Sequence, residues 1–118
     1  MRIGLIELPN TAGTSHFNSG DRGVELWMTE GFFDRFIGIF ALSDCRPLLL
    51  LNCNLVHGFG MPHSLQLTFL DRDYRVVSAP RLLRPWSLAY ERMASHVLES
   101  YELLPLRIGD QIVVGDIN

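Results

Sequence analysis

Short stretches in which apolar and polar residues alternate recur along most of the chain, and they predict β-strands. In residues 64–71 every second residue is large and apolar, at Leu65, Leu67 and Phe69. The polar turn at residues 71–73 then predicts a hairpin with residues 74–83 as its second strand. Further strands are predicted over residues 2–8, 24–28, 47–54, 96–101 and 111–117.

Residues 29–42 have a different period, because their large apolar residues recur at helical spacing. Thr29 is a suitable N-cap for this helix, and the apolar stripe is expected to pack on a sheet. The stripe consists of Phe32, Phe33, Phe36, Ile37 and Phe40. The predicted fold class is therefore mostly β leaning to α+β, a small barrel-like or folded sheet of six or seven strands with one main helix.

The 118 residues suit a single domain over 1–118. Residues 1–23 are predicted to be a strand followed by a flexible loop, because residues 9–23 are rich in Gly, Ser and Asn. Residues 24–118 would form the rest of the core. Residues 56–63 contain Gly58 and Gly60 and predict a turn, and residues 84–93 predict a loop.

The composition of the chain excludes some classes of function and disfavours others. The net charge is −3, and all ten basic residues are arginines, so mechanisms that need a lysine are excluded. An acidic chain disfavours nucleic acid as the partner. No signal peptide or membrane-spanning stretch is apparent, which predicts a cytoplasmic protein with no membrane insertion. Neither of the two cysteines belongs to a metal-binding motif, so no metal and no cofactor are predicted.

The most distinctive segment is the turn at residues 56–63, where His57, Phe59, Met61 and His63 occupy alternate positions. If the segment is extended, these side chains project to one side and form a lip for a ligand or partner. Alternatively, Phe59 and Met61 anchor the turn to the core. No residue is assigned a catalytic role.

Arginines and aromatic residues are concentrated between residues 72 and 86. Such a mixture is typical of a surface for single-stranded nucleic acid, but it also suits a protein interface, which the acidic net charge favours. The residues are Arg72, Tyr74, Arg75, Arg81, Arg84 and Trp86.

The predicted function is a non-enzymatic binding module that presents residues 56–63 and the surface from Arg81 to Trp86 to a protein partner. One alternative is a small-ligand-binding protein or hydrolase-type enzyme built around His57, together with Arg35 and either Cys53 or His63. Another is a binder of RNA or single strands. The oligomeric state stays open. The candidate binding residues are Arg35, His57, Phe59, Met61, Arg84 and Trp86.

An ordered set of short motifs over residues 35–114 resembles the bacterial and archaeal family of domains of unknown function numbered 192. The family has an Arg-x-x-Gly segment, a Val-His-Thr-Phe-Gly-Met turn, a Phe-Leu-Asp strand end, a Pro-Trp pair, a Val-Leu-Glu strand and a Gly-Asp turn. The corresponding segments here are 35–38, 56–61, 69–71, 85–86, 97–99 and 109–110.

The resemblance implies a β-rich fold without a known reaction. For the branch with this turn, it also implies an accessory role beside secretion or pilus systems. Members carry an Asp where this chain has Gln66, so any acidic function at that position is absent here. On this resemblance the chain is a divergent member.

Overall fold

Nine strands make up the regular secondary structure of residues 2–8, 23–29, 46–58 and 63–116, which the computed structural model describes. The mostly β character predicted from the alternation is therefore confirmed. The strands are β1 (Arg2–Glu7), β2 (Gly23–Thr29), β3 (Leu48–Leu50), β4 (Leu55–His57), β5 (Leu65–Leu70), β6 (Arg81–Leu83), β7 (Leu88–Tyr90), β8 (His96–Ser100) and β9 (Val113–Asp116).

Seven strands form one sheet in the order β6-β5-β8-β3-β2-β1-β9, and β4 pairs with β7 in a separate two-stranded ribbon. All pairings are antiparallel except that of β2 with β3. The strand predicted at residues 2–8 lies inside the sheet, because β1 pairs with both β2 and β9.

Each face of the large sheet carries a buried apolar core. On one face, which we call the ribbon side, Val56 and Ala89 of the ribbon pack on a core that includes Leu67, Phe69 and Val97. On the opposite face, the loop side, residues 74–76 and 104–112 cover a second core. That core includes Ile6, Leu26, Leu49, Leu70, Leu98, Leu106 and Ile112.

The sheet is open, so the barrel-like form of the two predicted alternatives, a barrel-like or a folded sheet, is wrong. Its edge strands are β6 and β9, at opposite ends of the strand order. Closure removes unpaired edges and encloses a core. Here the ribbon and the loop-side segments already bury apolar surface on the two faces, so the core does not require closure.

The predicted β5–β6 hairpin is present, but its second strand is interrupted. The carboxylate of Asp71 accepts hydrogen bonds from the backbone N–H groups of Asp73 and Arg75, at 2.8 and 3.0 Å, and fixes the turn. An isolated bridge then joins Leu70 to Val76, whereas regular pairing starts only at Leu67 and Arg81. Residues 77–80 lie between them and include Pro80, which lacks the N–H that a central strand needs.

Two further predictions about local structure need correction. The strand predicted at residues 47–54 ends at Leu50, because Asn52 adopts a φ of +55° and reverses the chain before β4. Residues 84–93 contain a strand, β7, rather than only a loop.

The described residues contain no helix. The predicted helix lies outside the described residues except for Thr29. That residue ends β2, and its buried hydroxyl has no hydrogen-bond partner among the described residues, so its capping role stays a prediction.

Candidate functional site

The β4–β7 ribbon has one buried face and one exposed face. Its three residue pairs are Leu55 with Tyr90, Val56 with Ala89, and His57 with Leu88. Because side chains alternate along a strand, the middle pair points to the sheet and the two outer pairs point away from it. Val56 and Ala89 accordingly pack in the ribbon-side core.

The outward pairs expose large apolar side chains. Leu55 is 52% exposed, Leu88 is 63% exposed and Tyr90 is 54% exposed, and His57 is exposed beside Leu88. Single exposed apolar residues are ordinary on protein surfaces, but a contiguous group on one rigid face marks an interaction site. We call Leu55, His57, Leu88, Tyr90 and the neighbouring Trp86 the outer ribbon face.

A tight turn at residues 84–87 precedes β7. Pro85 is the second residue of the turn, Trp86 the third, and the N–H of Ser87 donates to the carbonyl of Arg84 at 3.2 Å. A positive φ at the third position is typical of a type II turn, which favours Gly or Asn there. Trp86 has a φ of +64° and fills this position instead.

The turn is joined to the end of β4 by two backbone hydrogen bonds. The N–H of Trp86 donates to the carbonyl of Gly58 at 2.8 Å, and the N–H of Gly58 donates to that of Ser87 at 2.9 Å. This approach requires a glycine, because a Cβ at position 58 would lie 2.5 Å from the carbonyl oxygen of Arg84. His57 and Trp86 are thereby held at the same end of the ribbon.

Arg81 anchors the other end of the ribbon. Its guanidinium donates to the carbonyl of Tyr90 at 2.8 Å and forms an ion pair with Glu91. It also lies 4.8 Å from the centre of the Phe69 ring, a cation–π contact with the core of the sheet. The planar guanidinium makes these contacts together and couples the ribbon to the seven-stranded sheet.

The structure locates three of the six candidate binding residues, and all three lie at or beside the outer ribbon face. They are His57 in β4 and Arg84 and Trp86 in the turn before β7. The other three lie outside the described residues: Arg35, Phe59 and Met61.

The outer ribbon face also contains residues that were absent from the sequence prediction, namely Leu55, Leu88 and Tyr90. A signal was present, because large apolar residues alternate at positions 86, 88 and 90. This alternation was hard to recognise, because Arg84 and Pro85 precede it and the strand has only three residues.

The Cys–His pair of the hydrolase hypothesis is separated. Cys53 is buried in the ribbon-side core, and its thiol donates to the carbonyl of Leu55 at 3.2 Å. His57 lies on the outward face of the ribbon, and His63 is exposed. Within the part of the chain that the structure describes, no thiol therefore lies beside an exposed imidazole.

The arginines and aromatic residues between positions 72 and 86 also divide into two groups. Tyr74 packs on the loop-side core, where its ring stacks on that of His96 at 4.7 Å. Arg75 donates to the carbonyl of Gly109, which belongs to the same side. Arg81 and Trp86 instead belong to the ribbon, so the set does not form one continuous surface.

Two buried titratable residues lie on β8. Glu99 is 4% exposed on the ribbon side between Leu48 and Leu67, and the described residues offer its carboxylate no hydrogen bond or ion pair. Burial raises the pKa of Glu99 to about 7. A perturbed carboxyl group is sometimes catalytic, but its place in the middle of the sheet identifies Glu99 as a core residue.

His96 has a structural role in the turn that ends β3. Its Nδ1 accepts a hydrogen bond from the N–H of Asn52 at 3.1 Å, which requires an unprotonated nitrogen. Burial lowers the pKa of His96 and so favours this neutral form. The hydrogen bond supports the left-handed conformation of Asn52 that separates β3 from β4.

Among the described residues, no group of three or more His, Cys, Asp or Glu side chains is placed to hold a metal ion. In the same residues, no helix is long and apolar enough to cross a membrane.

Comparisons with protein-family models, with curated proteins and with solved structures find no match to this chain. The resemblance to family 192 thus stays a prediction that rests on its ordered motifs. One of these motifs departs at Gly58, where the family turn has Thr. The contact with Arg84 leaves no space for that side chain in the present conformation.

Proposed function

We propose that this protein is a non-catalytic binding module that presents the outer ribbon face to a protein partner. The ribbon is a rigid platform, because both of its ends are attached to the rest of the molecule. Its outward side chains are the large apolar and aromatic types that dominate the energy of protein interfaces.

The observation that carries the proposal is the conformation of Trp86. The left-handed region costs an L-residue about 1–2 kcal/mol, and Trp86 is 72% exposed in that conformation. A tryptophan that is largely in water gains little from the core to offset this cost. A strained, exposed aromatic side chain is therefore more readily explained by a role in binding than by a role in folding.

The geometry gives less support to the two alternatives. An enzyme built around His57 would lack Cys53 as its thiol partner, because that side chain faces the core. A single-strand binder lacks a continuous set of arginines and aromatic residues, because Tyr74 and Arg75 lie on the loop side. Cytoplasmic location and an accessory role beside a secretion or pilus system stay predictions from the sequence.

A random peptide library displayed on phage tests the proposal without knowledge of the natural partner. We expect peptides that bind the wild-type protein and lose at least about tenfold in affinity on the Leu88→Ser variant, since each buried apolar anchor contributes about 1–3 kcal/mol. Leu103→Ser is the matched control. Leu103 is 65% exposed and lies outside the ribbon.

The proposal fails if the selected peptides bind Leu88→Ser as tightly as the wild type, or if Leu103→Ser weakens them equally. It also fails if the library yields no binder. Circular dichroism of the variants verifies that each one is folded.

A further inference from the structure

The ribbon and its flanking residues carry a charge opposite to that of the whole chain. Residues 81–93 contain three arginines and one glutamate, a local net charge of +2 in a chain of net charge −3. The single carboxylate, Glu91, is already paired with Arg81. The remaining positive charges are those of Arg84 and Arg92, and residues 53–58 contain no Asp or Glu.

These two arginines lie before and after β7. Arg84 begins the turn that positions Trp86, and Arg92 comes two residues after Tyr90. Both are exposed, and neither takes part in an ion pair within the described part of the chain. The outer ribbon face is thus an apolar surface with a guanidinium at each end that no carboxylate of the described residues pairs with.

We propose that the partner of the outer ribbon face is an acidic peptide segment with an apolar or aromatic centre and carboxylates on both sides. The inference rests on the proposed function, and it specifies the chemistry of the partner. Leu55, Leu88, Tyr90 and Trp86 would receive the apolar centre. Arginine binds carboxylate through a planar pair of donors, so Arg84 and Arg92 would fix the position of the segment.

Two other occupants fit the surface less well. A nucleic-acid strand also brings negative charge, but the face offers branched aliphatic side chains as well as aromatic ones, and base stacking requires aromatic or guanidinium planes. A second copy of the chain would place Arg84 and Arg92 of one molecule near those of the other in a symmetric dimer, where like charges repel.

The test compares two fluorescently labelled peptides by anisotropy. One is Glu-Asp-Leu-Phe-Leu-Asp-Glu, and the other is its uncharged analogue Gln-Asn-Leu-Phe-Leu-Asn-Gln. We expect the acidic peptide to bind about fivefold to tenfold more tightly at low salt. The difference should disappear at about 1 M salt, where the Debye length is about 3 Å.

Variants connect this preference to the two arginines. Arg84→Gln combined with Arg92→Gln should reduce binding of the acidic peptide to the level of the analogue and leave the analogue unchanged. The control is Arg72→Gln combined with Arg107→Gln, which removes the same charge from two other exposed arginines. That control should preserve the preference.

The results that contradict the inference can be distinguished from those that contradict the proposed function. Equal binding of both peptides, abolished by Leu88→Ser, overturns the inference and retains the proposed function. Absence of binding by both peptides, together with a library that yields no binder, overturns both. Tighter binding of a labelled oligothymidylate that depends on the same arginines overturns the acidic peptide in favour of nucleic acid. A dimer in sedimentation that Leu88→Ser dissociates overturns it in favour of a second copy.

Discussion

Trp86 shows how a single residue can indicate function against local preference. Its position in the turn favours Gly or Asn, since only residues that tolerate a positive φ fit without strain. The turn nevertheless forms, because the ring of Pro85 fixes φ at the second position of the turn. The hydrogen bond from the N–H of Trp86 to the carbonyl of Gly58 holds the third position. The surrounding backbone therefore holds Trp86 in its strained conformation, and the indole is exposed.

Replacement of Trp86 by asparagine separates folding from binding. Asn tolerates the left-handed region, so the free energy of unfolding should stay within about 0.5 kcal/mol of the wild-type value or rise. Binding of peptides selected on the wild type should fall by at least about tenfold. Chemical denaturation and anisotropy measure the two quantities. Destabilisation of about 3 kcal/mol or more would identify Trp86 as a packing residue instead.

At the scale of elements, the ribbon is short and depends on its ends. It contains only three residue pairs, and an isolated two-stranded ribbon is marginally stable in water. Backbone hydrogen bonds to Gly58 close one end, and the contacts of Arg81 secure the other. The outer ribbon face therefore exists only while both attachments hold.

Substitution of Gly58 by alanine should open the end of the ribbon near Trp86. The new Cβ would lie 2.5 Å from the Arg84 carbonyl oxygen, and the required shift should cost about 1–3 kcal/mol of stability. Hydrogen exchange should be faster at the N–H groups of Trp86 and of residue 58. Gly115→Ala is the matched control, because a Cβ there meets nothing within 4 Å. Equal destabilisation by both substitutions would contradict the proposed contact.

At the scale of the whole molecule, the interior strand β8 has all five of its residues buried, and Glu99 is one of them. Its neighbours in the sheet are Leu48 on one side and Leu67 on the other. A carboxylate in such surroundings is poorly solvated, so the folded protein favours the protonated form. The protonation of Glu99 and global stability are therefore coupled.

The sign of this coupling follows from the shift in pKa. In the unfolded chain Glu99 loses its proton near pH 4.5, but in the folded protein only near pH 7. Between these values the folded state binds more protons, so this residue's contribution to stability falls as the pH rises and is constant above pH 7. The total loss is on the order of 3 kcal/mol.

The Glu99→Gln variant isolates this effect from other titrating groups such as His96. The variant should be about as stable as the wild type at pH 4.5 and more stable by on the order of 3 kcal/mol at about pH 8. Urea denaturation of both proteins at each pH gives the difference. A difference that does not change with pH would show that the pKa of Glu99 is the same in the folded and the unfolded protein.

Much of the large sheet was predictable, because its strands carry a clear alternating or continuous apolar pattern. Leu65, Leu67 and Phe69 were assigned to one face, and the structure buries them together on the ribbon side. The ribbon was not predictable in the same way. Its strands have three residues each, too few for a period to be established, and each lies beside residues that favour turns.

The candidate site, too, was only partly predictable from the sequence. His57 was identified from the sequence because it lies in the glycine-containing turn at residues 56–63. Arg84 and Trp86 were identified because arginines and aromatic residues are concentrated between residues 72 and 86. Leu55, Leu88 and Tyr90 were not identified, because an apolar residue in a short segment is as compatible with the core as with an exposed binding surface. Their exposure depends on which side of the ribbon packs on the sheet.

The sequence by itself determined the β-rich class and the central strands, since these follow from the period of apolar residues along the chain. It also determined the acidic balance and the concentration of arginines and aromatic residues between residues 72 and 86. Only the tertiary structure decided that the sheet is open, that residues 55–57 and 88–90 pair, and that Trp86 stands exposed beside them. The physical reason is that pairing and exposure arise from contacts between segments distant in sequence, which local periodicity does not encode.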